Sequence, residues 1–210
     1  FTYSDFVRLI SLKERGGKVR EYNGGGTAIY EDMEDVLGNK PDVLVDVSDK
    51  QTYKLLMTAI DKGIHIIGSN KPPYADVSSG DFEQMSLNAK RNGCVIDNRT
   101  VVSANLGVLV RAKEFANTAR GISYIRGCLS GTMGYISWRI NQDAPFSQAL
   151  SEAVSKGYTE SDFRKDLDGL DSARKAVIIG RTSGYPLELK DIEVEKLLPP
   201  ELERAGVEEA

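Results

Sequence analysis

Two short runs decide the fold: Asp42-Val43-Leu44-Val45-Asp46-Val47-Ser48 and Gly63-Ile64-His65-Ile66-Ile67-Gly68-Ser69-Asn70-Lys71. The first opens on a β-rich stretch, residues 42–47. A helical pattern follows over about residues 50–62, with Leu55, Leu56, Ala59 and Ile60 on one face. Gly63 stops that helix, and residues 64–67 read as a second, buried strand. A helix over residues 82–91, ended by Asn92-Gly93, leads to a third strand at 94–96. Alternation of this kind predicts an α/β fold, a Rossmann-like parallel sheet with right-handed crossovers.

After about residue 100 the rhythm changes. A helix at 108–118 precedes a strand at 123–129 and a Ser-Gly-Thr loop. Three helical patterns follow near 133–141, 146–156 and 170–182, the middle one opened by Ser147 in N-cap position. Gly184 ends the last, and residues 187–196 read as extended. This divides the chain into residues 1–100, part of a dinucleotide-binding domain, and residues 101–210, an α+β substrate-binding and dimerisation domain.

Composition narrows the class. At 40% hydrophobic and 28% charged residues the chain is an ordinary globular one. A net charge of −4 gives no reason to expect nucleic acid or an anionic membrane as partner. No apolar run is long enough to span a bilayer. Cys94 and Cys128 lie in strand-like apolar runs and are expected to be free and buried, as in a reducing cytoplasm. The single histidine, His65, excludes a His-based triad or a multi-histidine metal site, and its place in a strand points to a structural role.

The chemistry concentrates in residues 157–175, Gly-Tyr-Thr-Glu-Ser-Asp-Phe-Arg-Lys-Asp-Leu-Asp-Gly-Leu-Asp-Ser-Ala-Arg-Lys. Glu160, Asp166, Asp168 and Asp171 stand in a loop and at a helix start, with Lys175 one turn after Asp171. Carboxylates can hold a small cationic group while a lysine exchanges a proton with an oxygen. The same residues also fit helix caps and a solvated ion pair worth about 0.3–0.5 kcal/mol. Spacing alone leaves both readings open.

This segment resembles the signature of the homoserine dehydrogenase family. Three others agree in order: Asp42–Ser48, Gly63–Lys71, and Gly127-Cys128-Leu129-Ser130-Gly131-Thr132-Met133-Gly134-Tyr135. The resemblance implies interconversion of aspartate semialdehyde and homoserine with NAD or NADP, in a cytoplasmic homodimer. It implies Lys175 as general acid–base and Lys71 as a fixed positive charge at the nicotinamide end. Glu160 and Asp171, supported by Asp166, would hold the substrate's α-ammonium. Gly131, Thr132 and Tyr158 would meet its other polar groups, and Val47, Ser48, Asn70 and Lys71 the cofactor.

The chain also departs from the family. It opens on Phe1, and no Gly-x-Gly-x-x-Gly follows a strand, so the first βαβ unit lacks a counterpart and a portion of a larger enzyme is expected. The glycine-rich Asn23–Thr27 stretch has no strand before it and reads as a surface loop. Arg99 stands where the family often has a glutamate that binds a monovalent cation, so the guanidinium is expected to replace the ion's charge. Asn105 replaces a glycine, and Ser161 and Phe163 replace prolines. A related reductase of another small aldehyde, or a cofactor-less homologue acting as an interaction subunit, are the competing readings.

Overall fold

The computed structural model describes residues 2–18, 21–22, 24, 32–104, 106–119, 121–159 and 162–197. Among these, three strands form one parallel sheet in the order β1 (Val43–Asp46), β2 (His65–Gly68), β3 (Ile96–Asp97). Val43 is opposite His65, and Ile66 is opposite Ile96. After α1 (Tyr3–Glu14) and α2 (Met33–Gly38), the helix α3 (Tyr53–Asp61) crosses from β1 to β2, and α5 (Ser79–Arg91) from β2 to β3.

Both crossover helices stop by the same device. Gly63 has φ +80°, its N–H bonds to the Ile60 carbonyl, and the Ile64 N–H reaches back to Ala59. Gly93, at φ +67°, repeats this after α5, with the Cys94 N–H on the Ala89 carbonyl. A left-handed residue after the helix is cheapest for glycine, and the next residue then points straight into a strand. His65 accepts a hydrogen bond from the Val95 N–H at Nδ1, 2.9 Å, and so joins β2 to the start of β3.

Alternation along β1 and β2 buries Leu44, Asp46, Ile66 and Gly68. Under that face lies the main core, with Leu56, Ala59, Ile60 and Ile64 from the α3 crossover and Met85 and Ala89 from α5. The opposite face leaves Val43, Val45 and Ile67 about half exposed, so the expected fully buried second strand is buried on one side only. Two further helices complete the same core: α6 (Val108–Ala116), through Leu109 and Ala112, and α10 (Leu170–Thr182), through Val177, Ile178 and Ile179. A smaller core holds Ile136 of α7 (Gly131–Ile140), Ala149, Leu150 and Ala153 of α8 (Phe146–Ser155), Phe163, and Leu167 of α9 (Arg164–Leu167). Phe163, at a position where the family commonly has proline, is buried there.

Several expectations need correction. Residues 123–129 take no regular structure and pair with no strand among the described residues. Cys94 precedes β3 and is half-buried, and Cys128 is exposed in that unpaired segment. The N-cap of α8 is Pro145, not Ser147, and it offers no side-chain cap. Residues 189–191 turn into a 3-10 helix rather than staying extended. Glu160, Ser161, Asn105 and, apart from Gly24, the Asn23–Thr27 stretch lie outside the described residues.

The α7–α8 pair is locked by Glu152. Its carboxylate takes a forked bond from Arg139 (2.8 and 2.7 Å) and one from the Tyr135 hydroxyl at 2.9 Å. Arg139 first and Tyr135 second hold its pKa at about 2. A carboxyl lowered in the folded state stabilises it above the unfolded-state value, and that contribution disappears as pH falls through the folded value. Glu152→Gln should therefore lower the melting temperature at neutral pH, with the deficit closing between about pH 4 and pH 2, where glutamate's ordinary pKa near 4.3 gives way to the lowered one; thermal melts across that range check it.

Candidate active site

The carboxyl ends of β1 and β2 open into the crevice where parallel α/β sheets bind ligands, and α10 is docked beside them. Three ties fix this docking. The buried Arg181 guanidinium donates to the carbonyls of Tyr74, in α4 (Pro72–Ala75), Val77 and Leu187, and to Glu188. Arg174 forks onto Asp76 at 2.7 and 2.5 Å. Asp171, in the first turn of α10, meets Lys71 just before α4.

Asp171 bridges both lysines. Its Oδ2 lies 2.5 Å from the Lys175 Nζ and its Oδ1 3.1 Å from the Lys71 Nζ. Burial alone would raise the Asp171 carboxyl; the hydrogen bond from Lys175 and the charges of both lysines outweigh it and hold the group below the usual range. Lys175, 8% exposed, also donates to the Leu129 carbonyl at 2.7 Å. The (i, i+4) pair is thus no solvated surface bridge.

A cavity of about 440 Å³ contains Lys71, Lys175, Ser130 and Gly131 in its wall. Ser130 caps α7 by accepting from the Met133 N–H, which leaves Gly131 and Thr132 in the first helical turn. The Thr132 hydroxyl is engaged with the Tyr158 carbonyl (2.6 Å) and Asp166 (2.9 Å), tying α7 to the acidic segment. Gly131, Thr132, Tyr135 and Tyr158 line an adjoining cavity of about 410 Å³. Of the expected substrate residues among those described, Gly131, Thr132 and Tyr158 line this second hollow, which shares Gly131 with the first; Asp166 and Asp171 line neither and meet them through Thr132 and Lys175.

The expected cofactor residues gather at the strand ends. Val47 is 75% exposed directly after β1, an apolar side chain open to the crevice. Ser48 and the buried Asn70 both bond to Asp46, which accepts four hydrogen bonds and carries no signal of this in the local pattern. Arg99 does not enter this site; its guanidinium forks onto Asp97 at 2.8 and 2.5 Å. Its charge is thereby balanced within the end of β3, and a guanidinium is no donor for a monovalent cation, so the residues present do not fit such an ion.

Sequence reading also missed the far wall of the first cavity, Thr100, Val101, Ser103, Ala104 and Leu106. Ser103 and Ala104 have φ +59° and +48°, a left-handed pair without glycine. Nothing in the composition of the stretch signals this, since serine and alanine ordinarily avoid the region.

A parallel sheet with a lysine–carboxylate cluster beside its carboxyl ends defines a Rossmann-like α/β ligand-binding domain. Comparisons with known proteins narrow this. Residues 109–210 match the family model described as homoserine dehydrogenase. The chain is 34% identical over 195 residues to the bifunctional aspartokinase/homoserine dehydrogenase of Daucus carota, covering 90% of this chain and 21% of that protein. It is 34% identical over 170 residues to the homoserine dehydrogenase of Saccharomyces cerevisiae, covering 78% and 47%. Among solved structures, a putative homoserine dehydrogenase from Archaeoglobus fulgidus superposes with TM-score 0.69 at 26% identity, covering 96% of this chain and 58% of that one. A hyperthermophilic archaeal homoserine dehydrogenase in complex with NADPH gives 0.64 at 25% identity, covering 89% and 60%. Over residues 109–210 this chain is similar to the homoserine dehydrogenase family. It spans between about a fifth and a half of the length of these two curated relatives.

The left-handed pair supplies a stability test. A non-glycine residue held there costs on the order of 1 kcal/mol, and Ala104 is exposed. Ala104→Gly should be neutral to stabilising by up to about 1 kcal/mol in denaturant melts, the entropy of the glycine taking back part of the gain. Destabilisation by that amount would mean that Cβ contacts outweigh the strain.

Proposed function

We propose that this chain forms part of a homoserine dehydrogenase, which interconverts L-aspartate 4-semialdehyde and L-homoserine with NAD or NADP. The observation that carries the reading is the Lys71–Asp171–Lys175 bridge beside the carboxyl ends of the parallel strands. Exposed Val47 fits the apolar face of a nicotinamide, and Ser48, Asn70 and Lys71 fit its polar surroundings. When bound, the dinucleotide supplies or accepts the hydride at the substrate's C4.

The side chains would divide the rest of the work. An ammonium has three N–H donors, and Lys175 commits two of them, to Asp171 and to the Leu129 carbonyl. The third is available for the substrate's aldehyde oxygen, where it stabilises developing negative charge and delivers the proton; in reverse the amine takes the proton back. Lys71 contributes a fixed positive charge. Asp171, already between two ammonium groups, positions Lys175. The α-ammonium then falls mainly to Glu160 and Asp166, with Thr132 fixing Asp166. Gly131 and Tyr158, across the adjoining cavity, suit the substrate's remaining polar groups.

We place the enzyme in the cytoplasm, as a homodimer. No helix among the described residues is long and apolar enough to cross a membrane. Tyr124 and Ile125, 85% and 54% exposed in the unpaired 123–129 segment, support a partner subunit there. The division near residue 100 into cofactor and substrate halves goes with the same reading; the separate small core of α7, α8 and α9 supports it, while α6 and α10 share the core of the sheet.

In the full-length protein, nicotinamide reduction driven by L-homoserine should fall about 10²–10⁴-fold on Lys175→Ala, the usual cost of losing a general acid–base group. Absence of turnover with both dinucleotides sinks the reading, and an active K175A sinks the role of Lys175. With a guanidinium at position 99, turnover should also be the same in sodium, potassium or choline salts; a dependence on either metal ion counts against this account of Arg99.

A further inference from the structure

Asp46 ends β1 with a carboxylate that is 6% exposed and accepts four hydrogen bonds. Ser48 gives two, from its N–H at 3.1 Å and its hydroxyl at 2.7 Å. Thr52 gives one at 2.5 Å and the Asn70 amide one at 3.0 Å. Ser48 and Thr52 belong to the loop after β1, and Asn70 to the turn after β2. The same two segments are tied again by the Asn70 amide on the Lys50 carbonyl, 2.7 Å, and by Gln51 on the Pro72 carbonyl, 3.0 Å. Burial alone would raise the Asp46 carboxyl, but the bonds from Thr52, Asn70 and Ser48 keep it below the usual range, so it is charged at neutral pH.

Lys71 sits between this clamp and α4. Its carbonyl accepts from the Tyr74 and Ala75 N–H groups, so its backbone is fixed from both sides. All four residues of α4 are buried. The backbone from which the Lys71 stem springs is thereby set, and its ammonium meets Asp171 at 3.1 Å.

We propose that Asp46 is a positioning residue of the active site: by clamping Asn70 against the loop after β1, it sets the reach of Lys71 to Asp171. Asp171 is then shared between Lys71 and Lys175 rather than given wholly to Lys175. The catalytic meaning of that sharing rests on the function proposed above; the sharing itself is testable without substrate or cofactor.

Competitive acetylation of the full-length protein, read by peptide mass spectrometry, reports the reactivity of each lysine. In Asp46→Asn, Lys71 should leave Asp171 and react faster, roughly threefold or more, as its amine is freed from the ion pair. Lys175, relieved of a neighbouring cation and given the whole carboxylate, should react more slowly. Exposed Lys62 and Lys90 should not change. Opposite movements at two lysines cannot come from general loosening, which would speed both. Asn70→Ala breaks the same clamp while keeping the carboxylate, and serves if D46N does not fold; the same opposite pattern is expected. Faster labelling of both lysines, or no change at either, overturns the proposal. Homoserine turnover in the unsubstituted protein is measured separately, so failure of the enzymatic reading and failure of the clamp give different results.

Discussion

The site exists only because α10 is docked on α4, and the buried guanidinium of Arg181 is central to that docking. It donates to the carbonyls of Tyr74, Val77 and Leu187 as well as to Glu188. Those three carbonyls lie in a short helix and two turns. A buried carbonyl stripped of its donor costs roughly 1–3 kcal/mol, so Arg181 answers several such costs with one side chain. Its planar fork suits this better than a lysine's point charge would. Because Val177, Ile178 and Ile179 enter the main core on the same helix, the polar and apolar contributions agree on where α10 lies. Lys175, carried two turns before Arg181, then has its position set by the sheet's own core.

Charge balance in the crevice follows from that placement. Two ammonium groups and one carboxylate meet within hydrogen-bond reach, and Lys175 is nearly buried. A buried ammonium needs a partner or it loses its proton. Asp171 meets this need for Lys175 while Lys71 draws on its other oxygen. The cluster keeps a net positive charge, which favours an oxygen that becomes negative in the transition state. A carboxylate devoted only to a substrate's ammonium could not play this part.

Much of the fold was legible in the sequence because it rests on local signals. Gly63 and Gly93 end helices by left-handed turns, and Leu56, Ala59 and Ile60 repeat at helical spacing toward one core. The helices at 108–116, 131–140, 146–155 and 170–182 follow from the same patterning. The extended reading of residues 123–129 failed as a strand because a strand depends on a neighbour that no local pattern encodes. The half-open face of β1 and β2 has the same origin, since Val43, Val45 and Ile67 read as buried only if another layer covers them.

The site was legible in a different way. Asp171 and Lys175 stand out at (i, i+4) spacing, yet spacing could not separate a surface bridge from a buried cluster. Lys71 decides that question, and it comes from another segment of the chain. The Asp46 network was invisible for a related reason: a carboxylate in an apolar strand looks like a polar residue on the solvent face, and period-2 alternation places it with Leu44 on the buried one. A charge assigned to the covered face of a sheet must be fully hydrogen-bonded to persist there, and at the carboxyl end of a parallel strand the available donors are those of the ligand crevice. Buried polar residues at such strand ends are thus a sequence-level sign of where two crevice loops are fastened together, even before the partners are known.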